Sequence, residues 1–123
     1  MASASDQFHE REEHLRPETR DMHRAIVSLM EELEAIDWYQ QRIDATGDAE
    51  LRAILAHNRD EEKEHAAMTL EWIRRRDPAM DAVLKEYLWT EGSIVAREEA
   101  GRNGGAPAPA GPRASVGSLR GGR

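Results

Sequence analysis

Met22, Ile26, Leu29, Leu33, Ile36, Gln40 and Ile43 recur at alternating steps of four and three, and no glycine or proline interrupts the chain between Pro17 and Gly47. That spacing keeps one stripe of a long helix turned toward a neighbour, so the chain is committed to helix-on-helix packing. Pro17 suits a first helical turn, and Glu18 and Asp21 complement the positive end of the dipole. A helix from Pro17 to Ala45 would be roughly 43 Å long. Thr46-Gly47-Asp48 then offers a terminating glycine and an N-capping aspartate, a connection short enough to force an antiparallel hairpin. The second helix is expected from Ala49 to Arg76, closing with Arg74, Arg75 and Arg76 at its negative end.

The second helix carries its own seam at Leu51, Leu55, Asn58, Glu62, His65, Thr69 and Trp72. Its middle is the run from His57 to His65, in which only Asn58 lacks an ionisable side chain. A carboxylate turned toward a packed neighbour is costly unless a hydrogen-bonding partner or a cation meets it. Glu62 and His65 form Glu-x-x-His, the i, i+3 pair with which di-metal carboxylate bundles place two ligands on one helix face. Taken alone, the same spacing also fits a solvated charged face or a polar layer that fixes helix register. Glu32 on the first helix adds weight to the metal reading. With Leu29 as origin and about 100° per residue, Glu32 lies near −60° and Tyr39 near −80°, whereas Trp38 lies near 180° with Val27, Glu31 and Glu34 on its side. One Glu plus one Glu-x-x-His is half of a four-helix di-metal set. An identical chain related by a two-fold axis would supply the other half.

Composition narrows the alternatives. With 39% hydrophobic and 33% charged residues, long helices with narrow apolar stripes fit better than a thick core. The absence of cysteine removes disulfides, thiolate metal sites and cysteine nucleophiles, so any metal must be held by oxygen and imidazole. The formal charge is −7, and the last 23 residues contain four arginines and no acid, which leaves the helical part more acidic still. Such a body repels nucleic acid and attracts cations. No apolar stretch has the length or setting of a signal peptide or a bilayer span, so no membrane role is expected.

Beyond the hairpin, Asp77-Pro78 marks a third helix expected to end near Thr90. Residues 1–16 lack periodicity, and His9, Glu10, Glu12, Glu13 and His14 read as a solvated terminus. From 93 to 114 the expectation is a flexible Gly/Ala/Pro linker. Val116 and Leu119 are the only large apolar residues beyond it, and the last segment reads either as a plain tail or as a short docking peptide.

The segments Met30-Glu31-Glu32-Leu33-Glu34-Ala35-Ile36-Asp37-Trp38-Tyr39 and His57-Asn58-Arg59-Asp60-Glu61-Glu62-Lys63-Glu64-His65-Ala66 closely resemble the encapsulated ferritins, the ferritin-like cargo of encapsulin nanocompartments. The likeness extends over roughly Met22 to Thr90. It implies an all-α fold in which a two-helix hairpin (17–92 with its short third helix) completes a ferritin-like four-helix bundle by homodimerisation. The implied activity is a ferroxidase that oxidises Fe(II) to Fe(III) with dioxygen at a di-iron centre, in dimers joined into a ring of ten chains. Glu32, Glu62 and His65 match the centre and Tyr39 its nearby aromatic. Glu31, Glu34 and Trp38 match an ion-access region, where calcium or another divalent cation would bind. Residues 115–123, with Val116 and Leu119, look like the peptide that loads such cargo into the shell, which would place the protein in the cytoplasm inside a nanocompartment. The alternative from another class is a non-enzymatic metal-binding or scaffold bundle carried there by the same tail. His9 and His14 inherit no role from the resemblance, and His57 and Glu61, a turn or less from the ligands, read as supporting or surface residues and not as ligands.

Overall fold

A computed structural model describes residues 4–102. The described residues are helical throughout, with two 3₁₀ turns, Ala4–Asp6 and Glu12–His14, followed by α1 (Pro17–Ala45), α2 (Ala49–Arg76), α3 (Pro78–Tyr87) and α4 (Ile94–Arg102). They fall into two compact units, one ending at Ile73 and the other beginning at Arg74.

In the first unit α1 and α2 run antiparallel, since Gln40 Oε1 accepts from Arg59 at 2.8 Å near the turn while Glu32 meets His65 further along. Asp48 caps α2 by accepting from the Leu51 amide at 2.9 Å. Gly47 does not take a left-handed backbone, because Gly92 is the only described glycine that does, so the turn rests on Asp48 and on Arg52, which donates to the Thr46 carbonyl. The N-terminal segment, expected to be flexible, is fastened to α1. Arg20 donates to the carbonyls of Glu12 and Leu15, His23 Nε2 bonds the Asp6 carbonyl at 3.1 Å, and Phe8 lies against the His23 ring with centroids 4.6 Å apart.

The core is thin. Ala66 and Ile73 are the only buried hydrophobic residues among those described, and Leu33 (53%), Ile54 (52%) and Met68 (58%) stand open along the hairpin. On α1 the positions at negative angles from Leu29, including Ala25, Glu32, Ile36, Tyr39 and Ile43, are half-buried, whereas Ile26 and Leu33 at positive angles are exposed. Only part of the apolar stripe therefore meets α2, and the remainder stands exposed among the described residues.

In the second unit Asp77 caps α3 by accepting from the Met80 amide at 3.0 Å. Asp81 on the first turn of α3 pairs with Arg74 at 2.5 Å and Lys85 at 3.0 Å. The helix stops at Tyr87 and not at Thr90, because Leu88 turns to extended backbone, with the left-handed Trp89 after it. Part of the stretch expected as linker, 93–114, is helical: Ser93 caps α4 by accepting from the Ala96 amide, and Arg97 Nε donates to the Glu86 carbonyl at 2.7 Å. No described helix is long and apolar enough to cross a membrane.

Candidate metal centre

The helical arithmetic that placed Glu32 beside the α1 seam, and Glu62 and His65 one turn apart on α2, brings the three side chains together. His65 Nδ1 stands 3.3 Å from Glu62 Oε1 and 3.6 Å from Glu32 Oε2. One ligand atom from each residue lies within 4.8 Å of the other two, the only such cluster of metal-ligating side chains among the described residues. Each belongs to the interior of a long helix, so its backbone is fixed and only side-chain torsions need adjust to a cation.

The electrostatics are those of a site built for positive charge. The Glu32 carboxyl is held above its ordinary range, chiefly by a hydrogen-bond interaction with Glu62 that favours the protonated form, then by burial and by the Glu62 charge, with His65 acting the other way. Two carboxylates this close cannot both ionise without cost unless a cation lies with them. Among the described residues Glu32 Oε2 is buried and has no hydrogen-bond partner, so no hydrogen bond offsets its desolvation. Two carboxylates and an imidazole make a hard, mixed oxygen and nitrogen donor set that suits Fe(II), Mn(II) or Zn(II) and excludes the soft ions that demand sulfur. The residues present therefore fit a divalent transition metal, and three ligands from one chain leave coordination positions to be filled from elsewhere.

Tyr39 is half-buried two turns along α1 from Glu32. The Arg42 guanidinium lies over its ring, 5.5 Å from the centroid, an i, i+3 contact present in the sequence but not read from it. Glu31 and Glu34 are exposed with Trp38, itself 50% exposed, on the side of α1 away from Glu32. His57 is exposed and pairs with Glu61 at 3.4 Å, so neither enters the cluster. Glu64 is exposed. His9 and His14 are exposed in the N-terminal segment, away from any metal-ligating cluster. The docking segment with Val116 and Leu119 lies outside the described residues.

Comparison with known proteins accords with this geometry. The family model described as EncFtn-like matches residues 7–91. The chain belongs to that family. Among its EncFtn-like relatives, an encapsulated ferritin-like protein of Rhodospirillum rubrum is 56% identical, the alignment covering 98% of this chain and 93% of that protein. An encapsulin nanocompartment cargo protein, EncC, of Myxococcus xanthus is 45% identical over 76% of this chain and 80% of its own length. The crystal structure of protein ne0167 from Nitrosomonas europaea is similar with a TM-score of 0.69 and 67% identity, covering 71% of this chain and 96% of that one. The resemblance to encapsulated ferritins and the all-α, ferritin-like class are thus borne out.

Proposed function

We propose that this chain is one half of a ferroxidase. Two copies related by a two-fold axis bring Glu32, Glu62 and His65 of each together around two Fe(II) ions, each of which gives one electron to dioxygen. The observation that carries the reading is the Glu32–Glu62–His65 cluster, whose ligand atoms lie within 4.8 Å of one another while Ile54 and Met68, on the His65 side of α2, stand more than half exposed. A di-metal carboxylate bundle needs two Glu and two Glu-x-x-His; the chain has one of each, and an isologous contact returns the same residues across the axis.

The roles follow from position. Glu62 and His65 present their donor atoms from one rigid turn of α2, and Glu32 supplies the buried oxygen between them. Glu32 must shed its proton before it can ligate, so iron uptake strengthens as pH rises through its elevated range. Tyr39 places a phenol ring on the site's side of α1, where it can pass an electron or order the oxidant. Glu31 and Glu34 gather hard divalent cations beside Trp38 for delivery to the centre.

A bundle of thin helices encloses no sealed volume, so oxidised iron needs a container. Relatives named as encapsulated or as encapsulin cargo support a location inside an encapsulin shell. The Rhodospirillum alignment covers nearly the whole chain and so extends into the C-terminal tail, where Val116 and Leu119 would anchor to an apolar groove of the shell wall.

The test is anaerobic loading with Fe(II) followed by oxygen. Loss of Fe(II) with growth of Fe(III) absorbance, absent from His65→Ala, is the expected result; stable Fe(II) binding without oxidation would leave a metal-binding scaffold instead. Deletion of residues 112–123 should keep oxidation and abolish co-purification with a co-expressed shell.

A further inference from the structure

The chain has no cysteine and five methionines, so thioethers are its most readily oxidised side chains. Their settings differ. Met22, Met30 and Met80 are half-buried, whereas Met68 is 58% exposed, the only exposed methionine among the described residues. Met68 follows His65 by three residues, and side chains three apart are neighbours on a helix surface. An open, polarisable thioether thus stands one turn from the candidate metal centre.

Met68 also lines a groove of about 510 Å³ between the long helices, with Ala25 and Ser28 on α1 and Thr69 and Trp72 on α2. The groove begins where the centre ends. Ser28 stands one turn before Glu32 and Thr69 one turn after His65, and Thr69 Oγ1 donates to the His65 carbonyl at 3.0 Å. The charged residues of the groove, Asp21 and Arg24, pair with each other at 2.7 Å and lie two turns or more from Glu32. Nearer the centre Ala25, Met68 and Trp72 give apolar walls, along which a small neutral molecule passes more readily than an ion. The dimer proposed above lays a second chain over this face and makes the open groove a confined path. A neutral product leaving the centre by that path meets the Met68 thioether before it meets bulk solvent.

We propose that Met68 is an oxidation site, at which peroxide formed by the centre is consumed before it attacks the ligands. The inference rests on the ferroxidase reading, and its chemistry follows from the electron count. Two Fe(II) ions that give one electron each reduce dioxygen, with two protons, to hydrogen peroxide. In the groove the Met68 sulfur attacks one peroxide oxygen, the O–O bond breaks, and the second oxygen leaves as water. Sulfur loses two electrons in becoming the sulfoxide, and the peroxide gains the same two. Because the oxidant arises at the centre, the reaction needs no access from bulk solvent. The sulfoxide is reversible, since sulfoxide reductases restore the thioether. The His65 ring and the Trp72 indole, on either side of Met68 along α2, are the groups that it shields.

Aerobic turnover of the full chain with Fe(II), followed by peptide mass spectrometry, tests this. Catalase is present throughout, so peroxide that reaches solvent is destroyed. Met68 should gain one oxygen atom several-fold more often than Met22, Met30 or Met80, and His65→Ala under the same conditions should leave it unmodified. Met68→Leu, which conserves volume, should oxidise the first addition of Fe(II) at the wild-type rate. Over repeated additions it should lose activity several-fold faster, with oxygen appearing on Trp72 or His65 instead. Iron oxidation that leaves the Met68 thioether intact overturns the inference and keeps the ferroxidase. Equal modification in His65→Ala, or a Met68→Leu chain that lasts as long as wild type, overturns it as well. A wild-type chain that binds Fe(II) without oxidising it overturns both readings.

Discussion

Glu32 in the hairpin and Asp81 in the C-terminal unit are equally exposed, each side chain at 25%, yet their carboxyls shift in opposite directions. Asp81 is held below its ordinary range by Lys85 first and Arg74 second; Glu32 is pushed above its own, with Glu62 as the leading cause. Burial cannot separate the two, so the neighbours decide. Asp81 has its counter-charges within its own helix and at the end of the preceding one, the arrangement of a carboxylate that holds structure together. Glu32 faces a second carboxylate and an imidazole and leaves one oxygen without a hydrogen bond among the described residues, an arrangement that a cation would satisfy.

The sharpest way to break that contrast is to remove ligands. Glu62→Ala and His65→Ala should each reduce iron oxidation by more than the ~10–100-fold typical of losing a supporting group around a metal, with iron content measured beside the rate; two-fold symmetry removes two ligands per dimer for each substitution. A rate within tenfold of wild type in either would put the centre elsewhere.

Glu32→Gln should act in two directions. The raised carboxyl means that the folded, metal-free chain binds more protons than the unfolded one in the range above the ordinary pKa of 4.5, so stability falls as pH rises from there through the raised range. Replacing the charge should therefore raise the metal-free melting temperature at pH 7 while abolishing iron uptake. Asp81→Asn should do the reverse, lowering stability at pH 7 with iron oxidation intact. Since the Asp81 shift is downward, its contribution is present above the ordinary pKa of 3.8 and lost as pH falls through and below it. The wild-type and Asp81→Asn melting curves should accordingly converge in acid. Parallel curves from pH 7 to 3 would show that Arg74 and Lys85 do not stabilise the charged form.

Smaller effects test the faces of the helices. Glu31→Ala and Glu34→Ala should slow oxidation several-fold at limiting Fe(II) and leave the iron content at saturation unchanged, as a change in rate-versus-concentration curves would reveal. Glu64→Ala, one residue from His65 but exposed, should be close to silent in both metal content and rate.

Much of this arrangement is legible in the residues. The limits of α1 and α2 follow from an unbroken 4-3 repeat bounded by Pro17, Gly47 and the terminal arginines, and the cluster follows from the rotation of 100° per residue. Periodicity marks the apolar stripe but cannot say which part of it meets α2, so the exposure of Leu33 and Ile26 becomes visible only in the structure. The N-terminal fastening depends on contacts between Phe8 or Asp6 and His23, too far apart in sequence for any local pattern. The helix α4 left traces in the Ser93 cap and in the i, i+4 pair Glu98 and Arg102. The tie that holds it, Arg97 on the Glu86 carbonyl, is a tertiary bond, and Gly101 masks the short pattern. Leu88 ends α3 early by turning to extended backbone before the left-handed Trp89, angles that no side-chain propensity announces.

The helix α4 also fixes a length. A chain of n residues spans at most about 3.3–3.6 Å × n, whatever conformation it adopts. Were residues 93–116 all extended, the 24 of them would let Val116 lie roughly 79–86 Å from residue 92. With the chain helical to Arg102, 14 residues, 103–116, carry it from α4 to Val116, and 14 residues reach no further than roughly 46–50 Å. If Val116 anchors to a shell wall and the site oxidises iron as proposed, each body would be leashed within that distance of the wall, ferric ions would enter a shallow layer beneath the lining, and mineral should begin there and grow inward.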